Sequence, residues 1–359
     1  MEIRVDSPWP GAILLTLSCL ALGCGDPTAA PELRHNPVGG APAAPTAGPE
    51  LLEDFTGSQV FPASNWWNLE VTSAPVDSDS EAYIVWISGV TPQNPNARRR
   101  LHPDFGPPPY GIPYIGVGDD EPLSQVHWTL YGSQSDDGAP GAPDGYPIPD
   151  EAITLANWVE GGEPGGGCCG DRHLILVDRD RWLLFETWAT EWNDALGRWE
   201  AGSGAVFDLS TNDRRPDGWT SADAAGLAIF PGLIKVDEAD GPGPITHAFR
   251  FTTRDTNGYV WPASHEAGDN PLAPPMGARL RLKSDVNISG FTPELQRVFQ
   301  AMKTYGLILA DNGSDMYIQG TMDPRWDNDV LNPAFHSLYA DQFEMLELGW
   351  NPTTSGIEE

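Results

Sequence analysis

The chain has 359 residues, with 51 acidic side chains against 20 Lys and Arg, a formal net charge of −31, and 14 tryptophans, 39 glycines and 35 prolines. So large a negative excess repels nucleic-acid phosphates and anionic lipid headgroups, which excludes both as expected partners. It also works against a polyanionic glycan, unless a local cluster of Arg or Lys receives it.

Residues 11–23, GAILLTLSCLALG, form an apolar run too short to span a bilayer and ending in small residues before Cys24. The ending ALGC resembles the lipobox of bacterial lipoproteins, in which the cysteine is acylated and becomes the new N-terminus. The expectation is a signal over 1–24, lipid on Cys24, and contact with a membrane only through that lipid. Glu2 and Asp6 beside Arg4, and Ala21 where the lipobox usually has leucine, depart from the pattern; the alternative is an ordinary secretory signal cut elsewhere. Residues 25–51 are built from Pro, Ala and Gly and bury too little to offset their ordering entropy, so they read as a tether. One globular domain is expected over 52–350, acting as a monomer, with a disordered tail at 351–359.

Strands are expected within YGIPYIGV (110–117), SQVHWTLY (124–131), GAVFDLS (204–210), THAFRFTT (246–253) and ARLRLK (278–283). TPELQRVFQAMKTYG (292–306) predicts a helix, with Thr292 as cap, Pro293 in the first turn, Gly306 as stop, and Leu295, Val298, Phe299, Met302 and Tyr305 in one apolar stripe. A shorter helix is expected over SADAAGLAI (221–229), which would place Asp223 in a first turn favoured by the helix dipole. LILADNGSDMYIQG (307–320) reads as a hairpin turning at Asn312-Gly313. Helices placed among antiparallel hairpins, without repeated βαβ units, predict a β-rich α+β fold, a single-domain β-sandwich or barrel-like core with a few helical insertions.

HLILV (173–177) and WLLFETW (182–188) read as two strands around the polar turn DRDR. A symmetric loop pairs Val177 with Trp182, Ile175 with Leu184, His173 with Glu186 and Asp171 with Trp188, which puts Asp171, His173, Trp182, Glu186 and Trp188 on one face; a three-residue loop would put His173 and Glu186 on opposite faces. An imidazole and a carboxylate flanked by indoles make a candidate acid/base site with platforms for sugar rings; a surface ion pair on an exposed hairpin is the plain alternative. Cys168 and Cys169 lack the spacing of zinc ligands or of a redox pair, so a vicinal disulfide shaping the loop EGGEPGGGCCGD is favoured over free thiols or a bond to another chain.

Further candidates are scattered. His247 and His265 join His173 as possible catalytic groups, and as a metal trio only if the fold gathers them. Trp219 and Trp261 are added as sugar platforms, and Arg172 and Arg250 as partners for a substrate carboxylate. His102 reads as a loop histidine steadying a Pro turn. Asp323, Asp327 and Asp329 in DPRWDND suggest a calcium loop but lack EF-hand spacing, so no cofactor or metal is expected beyond that weak structural calcium.

The succession FPASNWWN, HPDFG, GIPY, DRHLILVDRD, GSGAVFDLS, GWTSADAAGLAIFPGL, YVWPASH, PPMGARLRLK, YGLILADNG and DPRWDND, spanning about 55–330, resembles a family of secreted bacterial proteins with this motif order. The resemblance implies a single extracellular domain and carries over no active site; the cysteine pair in the 160–171 loop is a departure from it. The expected function is an envelope-anchored or secreted carbohydrate-active protein that cleaves glycosidic bonds of an extracellular polysaccharide. By hydrolysis, Glu186 would pair with Asp171, Asp223 or Asp311; by a lyase route, His173 would take a proton beside a uronate carboxylate. The third possibility is a glycan-binding or adhesion protein without catalysis.

Overall fold

A computed structural model describes residues 48–352. The expected signal with Cys24, most of the tether, and residues 353–359 lie outside the described residues. In chain order the strands begin with β1 (Glu50–Leu51), β2 (His102–Gly106), β3 (Ile115–Val117), β4 (Val126–Trp128), β5 (Leu174–Asp178) and β6 (Leu183–Trp188). There follow β7 (Glu191–Asn193), β8 (Arg198–Ala201), β9 (Ser203–Asp208), β10 (Phe249–Thr253), β11 (Arg279–Leu282), β12 (Leu307–Asn312), β13 (Tyr317–Met322) and β14 (Phe343–Met345). The α-helices are α1 (Ser80–Ile87), α2 (Glu151–Thr154), α3 (Val236–Asp240), α4 (Pro293–Thr304) and α5 (Asn328–Phe335).

The protein is a β-rich α+β fold with 25% strand and 16% helix. Its strands form three open sheets, ordered β1-β3-β5-β6-β9, β14-β11-β12-β10-β13-β2 and β4-β8-β7. None closes into a barrel. Glu50 and Leu51, at the end of the expected tether, pair with Gly116 and Ile115 and so extend the first sheet.

The five-stranded sheet lies in the middle. Ile175, Val177 and Leu184 turn to the large core shared with the six-stranded sheet and helices α1, α4 and α5, while Leu174, Leu176, Leu183 and Phe185 turn to a second core with Trp199 of β8. A strand buried on both faces reads as a continuous apolar run, which is why HLILV and WLLF lack polar alternation. Each fully buried Leu, Ile or Phe contributes about 1.5–3 kcal/mol relative to exposure, so these two strands are a principal source of stability.

Helix α4 has the predicted limits: Thr292 is its N-cap, its stripe Leu295, Val298, Phe299 and Met302 is buried against the core, and Gly306 takes φ +77 after Tyr305. The expected strands also form, although each is shorter than its apolar stretch.

Three local expectations are corrected. The 173–188 hairpin pairs Ile175 with Glu186 and Val177 with Leu184, two residues off the expected register, because the loop is 179–182 and Trp182 bends with φ 56 inside it. Since the slip is even, His173, Glu186 and Trp188 keep the same face. Segments 307–312 and 317–322 are not a hairpin: β10 lies between them, parallel to β12 and antiparallel to β13, and the positive φ of the connection belongs to Met316. Residues 221–229 form bends and turns instead of a helix. There the Ser221 hydroxyl accepts from Asp223 N at 2.9 Å and reaches Leu227 O at 2.6 Å, and side chains that bond nearby backbone in this way compete with helix.

Candidate functional site

A polar cavity of about 120 Å³ opens where the two larger sheets meet, lined by Asp104 of β2, Arg250 and Thr252 of β10, Asp311 and Asn312 of β12, Tyr317 and Gln319 of β13, and Glu160, Asp171 and His173 ahead of β5. Strand alternation explains the grouping. On β10, Phe249 and Phe251 are separated by Arg250 and Thr252, which face the other way. Pairing across β13 and β2 sets Tyr317 beside His102 and Gln319 beside Asp104. Gly111 lets the 110–113 loop close on this floor: it has φ +96, and a Cβ there would lie 2.8 Å from Gly320 O.

At the back, Arg250 binds Asp223 through Nη2 at 2.6 Å and Nε at 3.2 Å, and its Nη2 lies 3.9 Å from Asp311. Both partners of the close pair are buried. Burial opposes the guanidinium charge, but Asp223 and Asp311 outweigh it and raise the Arg250 pKa. Burial also pushes Asp223 up, with Arg250 opposing. Asp223 therefore serves as the counter-ion of a buried arginine, not as a helix first-turn residue.

Asp311 differs in access, with 24% of its side chain exposed. Burial first, then the Asp223 charge, lift its pKa to about 7, with Arg250 pulling the other way. Asp104, exposed on the edge strand, is also shifted upward by partial desolvation, against the hydrogen bond it accepts from Gln319 Nε2 at 3.3 Å. Two acceptors in the lining, Asn312 Oδ1 and Gln319 Oε1, are buried with no donor among the described residues. Buried polar atoms are nearly always satisfied, so both mark places for a donor supplied by a ligand or solvent.

His173 is held on both sides. Nδ1 lies 2.8 Å from Glu160 Oε2 and Nε2 lies 3.2 Å from Ala222 O, two acceptors that together call for a proton on each nitrogen. Burial pulls its pKa down, but the Glu160 charge and hydrogen bond, with Asp171 beyond, carry it up to about 9. At neutral pH it is an imidazolium with no lone pair to accept a proton. The Glu160 contact also pins the loop that follows: Glu160 N donates to His173 O at 3.0 Å, so the 161–170 segment closes at the cavity rim with Cys168 and Cys169 bonded to each other.

Glu186 stands apart. Its carboxylate is fully buried and accepts from Ile229 N at 2.9 Å and Phe230 N at 2.8 Å, lining no part of the cavity. Burial raises its pKa to about 7, against those two backbone bonds. Its surroundings are those of an anchor for the 229–230 backbone.

The other sequence candidates lie elsewhere. His247 sits in a separate cavity, its ring between Ala248 O and Glu238 at 2.9 Å each, and His265 Nδ1 turns to Ala224 O at 2.9 Å. The three histidines thus occupy three settings, and no metal-holding group is found among the described residues. Asp323 is taken by Arg325 at 2.6 Å, and Asp327 caps α5 by accepting from Asp329 N at 2.9 Å. None of the four tryptophan platforms lines the polar cavity. Trp182 packs on Phe55, Trp188 donates to Asp171 at 3.3 Å, Trp219 lies under Arg215, and Trp261 meets Trp66 edge-on. Arg172 donates to Thr190 O at 3.3 Å and Arg250 is committed to Asp223.

The cavity therefore joins Asp171, His173 and Arg250, named from the sequence, with Asp311, weighed there as a second carboxylate. Asp104, Glu160, Tyr317 and Gln319 were not singled out. Asp104 and Gln319 become neighbours only through the β2–β13 pairing, which no local pattern reveals, while the closeness of Glu160 to His173 across a glycine-rich loop was the one available hint. Comparison with known proteins finds no matching family model, no matching curated protein and no matching solved structure.

Proposed function

We propose that the protein is an exported, envelope-anchored carbohydrate-active enzyme that hydrolyses glycosidic bonds of an extracellular polysaccharide, with Asp311 as the general acid. The observation that carries this reading is a cavity in which the part-exposed Asp311 carboxyl, its pKa raised by burial and by Asp223, stands with the carboxyls of Asp104 and Asp171 and two donorless buried acceptors. Glycoside hydrolysis requires one carboxyl that keeps its proton to give to the leaving oxygen, and a second to activate water or attack the sugar. Asp104 and Asp171 are the candidates for that second role. Sugar hydroxyls supply the donors that Asn312 and Gln319 lack. Arg250 and Asp223 position Asp311 and tune its proton affinity, and a protonated His173 keeps the loop bearing Asp171 in place.

The test is to incubate the protein with neutral and uronate-containing polysaccharides and weigh the products. Hydrolysis yields fragments with water added. Fragments carrying an ultraviolet-absorbing double bond would replace this reading by a lyase, and retention on a glycan without fragments would replace it by a binding protein.

A further inference from the structure

Beside the acidic cavity lies a basic one. Arg98, Arg99 and Arg100 share a surface pocket of about 440 Å³ with His102, Tyr317 and His336. Such a concentration of positive charge is unexpected on a chain of net charge −31. Two of the arginines have partners: Arg98 pairs with Asp341 at 2.7 Å, and Arg99 reaches Asp315 at 3.4 Å, a carboxylate held more closely by Arg254 at 2.5 Å. Arg100 has no carboxylate partner among the described residues, its guanidinium lying 5.6 Å from the Tyr339 ring. The imidazoles of His102 and His336 are 5.1 Å apart, and burial first, then His102 and Arg100, push the His336 pKa down.

The two cavities share one face of the same sheet. His102 and Asp104 are two residues apart on β2 and project to the same side, as do Tyr317 and Gln319 opposite them. The row of His102 and Tyr317, which lines the basic pocket, is thus roughly 6.6 Å along the strand from the row of Asp104 and Gln319. Tyr317 lines both.

We infer that the Arg98–Arg100 pocket receives the carboxylate of a sugar unit next to the one held in the acidic cavity, so that the substrate is a uronate-containing polysaccharide. The link between the two cavities rests on the proposed hydrolysis; the binding of a uronate by the arginines does not. An arginine fork matches a carboxylate in plane and charge, whereas a neutral sugar gives an unpaired Arg100 nothing to neutralise. Repulsion from acidic groups farther than about 8 Å is screened at physiological salt, so the balance at contact range is set by the three arginines against Asp341, Asp315 and Asp104.

The test is affinity electrophoresis of the full chain in gels containing polygalacturonate or alginate, each compared with the same polymer after its carboxyls are reduced to alcohols, and in gels containing dextran sulfate. The inference expects retention by at least one uronate polymer, its loss on carboxyl reduction, and about tenfold weaker binding by Arg100→Gln, the effect of one charge-assisted hydrogen bond. Equal retention by the reduced polymer, retention by dextran sulfate alone, an unaffected Arg100→Gln variant, or no retention by either uronate polymer would each overturn it. The two readings fail separately. Hydrolysis of a neutral polysaccharide without uronate binding removes this inference and leaves the proposed function, while Arg100-dependent uronate binding without fragments from any polymer does the reverse.

Discussion

Glu186 and Asp311 are both carboxyls that burial lifts to about 7, yet they sit in opposite surroundings. Glu186 is sealed beneath the 229–230 turn with two backbone N–H groups on its oxygens, whereas Asp311 opens into a cavity beside a charged arginine. A raised proton affinity is thus no sign of a catalytic group by itself. Access to a ligand separates the proposed acid from the anchor.

The comparison is first broken by removing what holds Asp223 and Asp311 in place. Arg250→Met leaves the buried Asp223 carboxyl without its cation, and a buried pair that loses one partner costs about 3–5 kcal/mol, which thermal or denaturant unfolding should register. An unchanged midpoint would mean that the Arg250–Asp223 pair carries no structural weight.

Next in size is the His173 proton. Its pKa rises from 6.5 to about 9 on folding, so its stabilisation is fully present below about pH 6.5 and is lost as pH climbs through about 9. The difference corresponds to about 3 kcal/mol. Unfolding midpoints should fall across that window in the wild type and fall less steeply in His173→Gln; equal slopes would show that His173 is neutral in the folded protein.

Glu186→Gln turns one accepting oxygen into a donor facing the N–H groups of Ile229 and Phe230, and should cost about 1–3 kcal/mol in denaturant melts. The sharper expectation concerns pH. Because folding raises the pKa from 4.5 to about 7, Glu186 lowers stability as pH rises through that interval, and the variant should lose this slope. Smallest is Cys168→Ser with Cys169→Ser: a bond between neighbours closes almost no loop, so the double variant should lose about 1 kcal/mol or less. A larger loss would assign the pair a role in holding the 161–170 loop.

How much the sequence disclosed follows from the range of the interactions involved. Helix α4 was legible to its caps because capping and a 3.6-residue stripe are local. The face shared by His173, Glu186 and Trp188 was legible because it needs only the parity of the hairpin, and it survives a register slip of two. What parity cannot supply is depth: Glu186 faces inward under Ile229, a contact 43 residues away. The insertion of β10 between β12 and β13 was illegible for the same reason, since Asn312-Gly313 offers a good local turn whichever strands pair. Ser221 and Asp223 misled because a residue that caps a helix also stabilises a compact turn, and the Arg250 guanidinium decided the matter from strand β10. The tryptophans suggested sugar platforms, but the cavity takes its polar walls from strand alternation on β2, β10 and β13 and from the end of β12, where the pairing with β10 shifts register.

The most direct measurement is the pH dependence of kcat/KM on a polysaccharide that the wild type cleaves, compared for wild type, Asp311→Asn and Glu186→Gln. An accessible general acid predicts a wild-type rate that falls above about pH 7, a loss of about 10²–10⁴-fold in Asp311→Asn with that limb removed, and an unaltered limb in Glu186→Gln. A profile that Asp311→Asn leaves intact, or one whose alkaline limb moves with Glu186, would contradict the assignment of the acid to the open cavity.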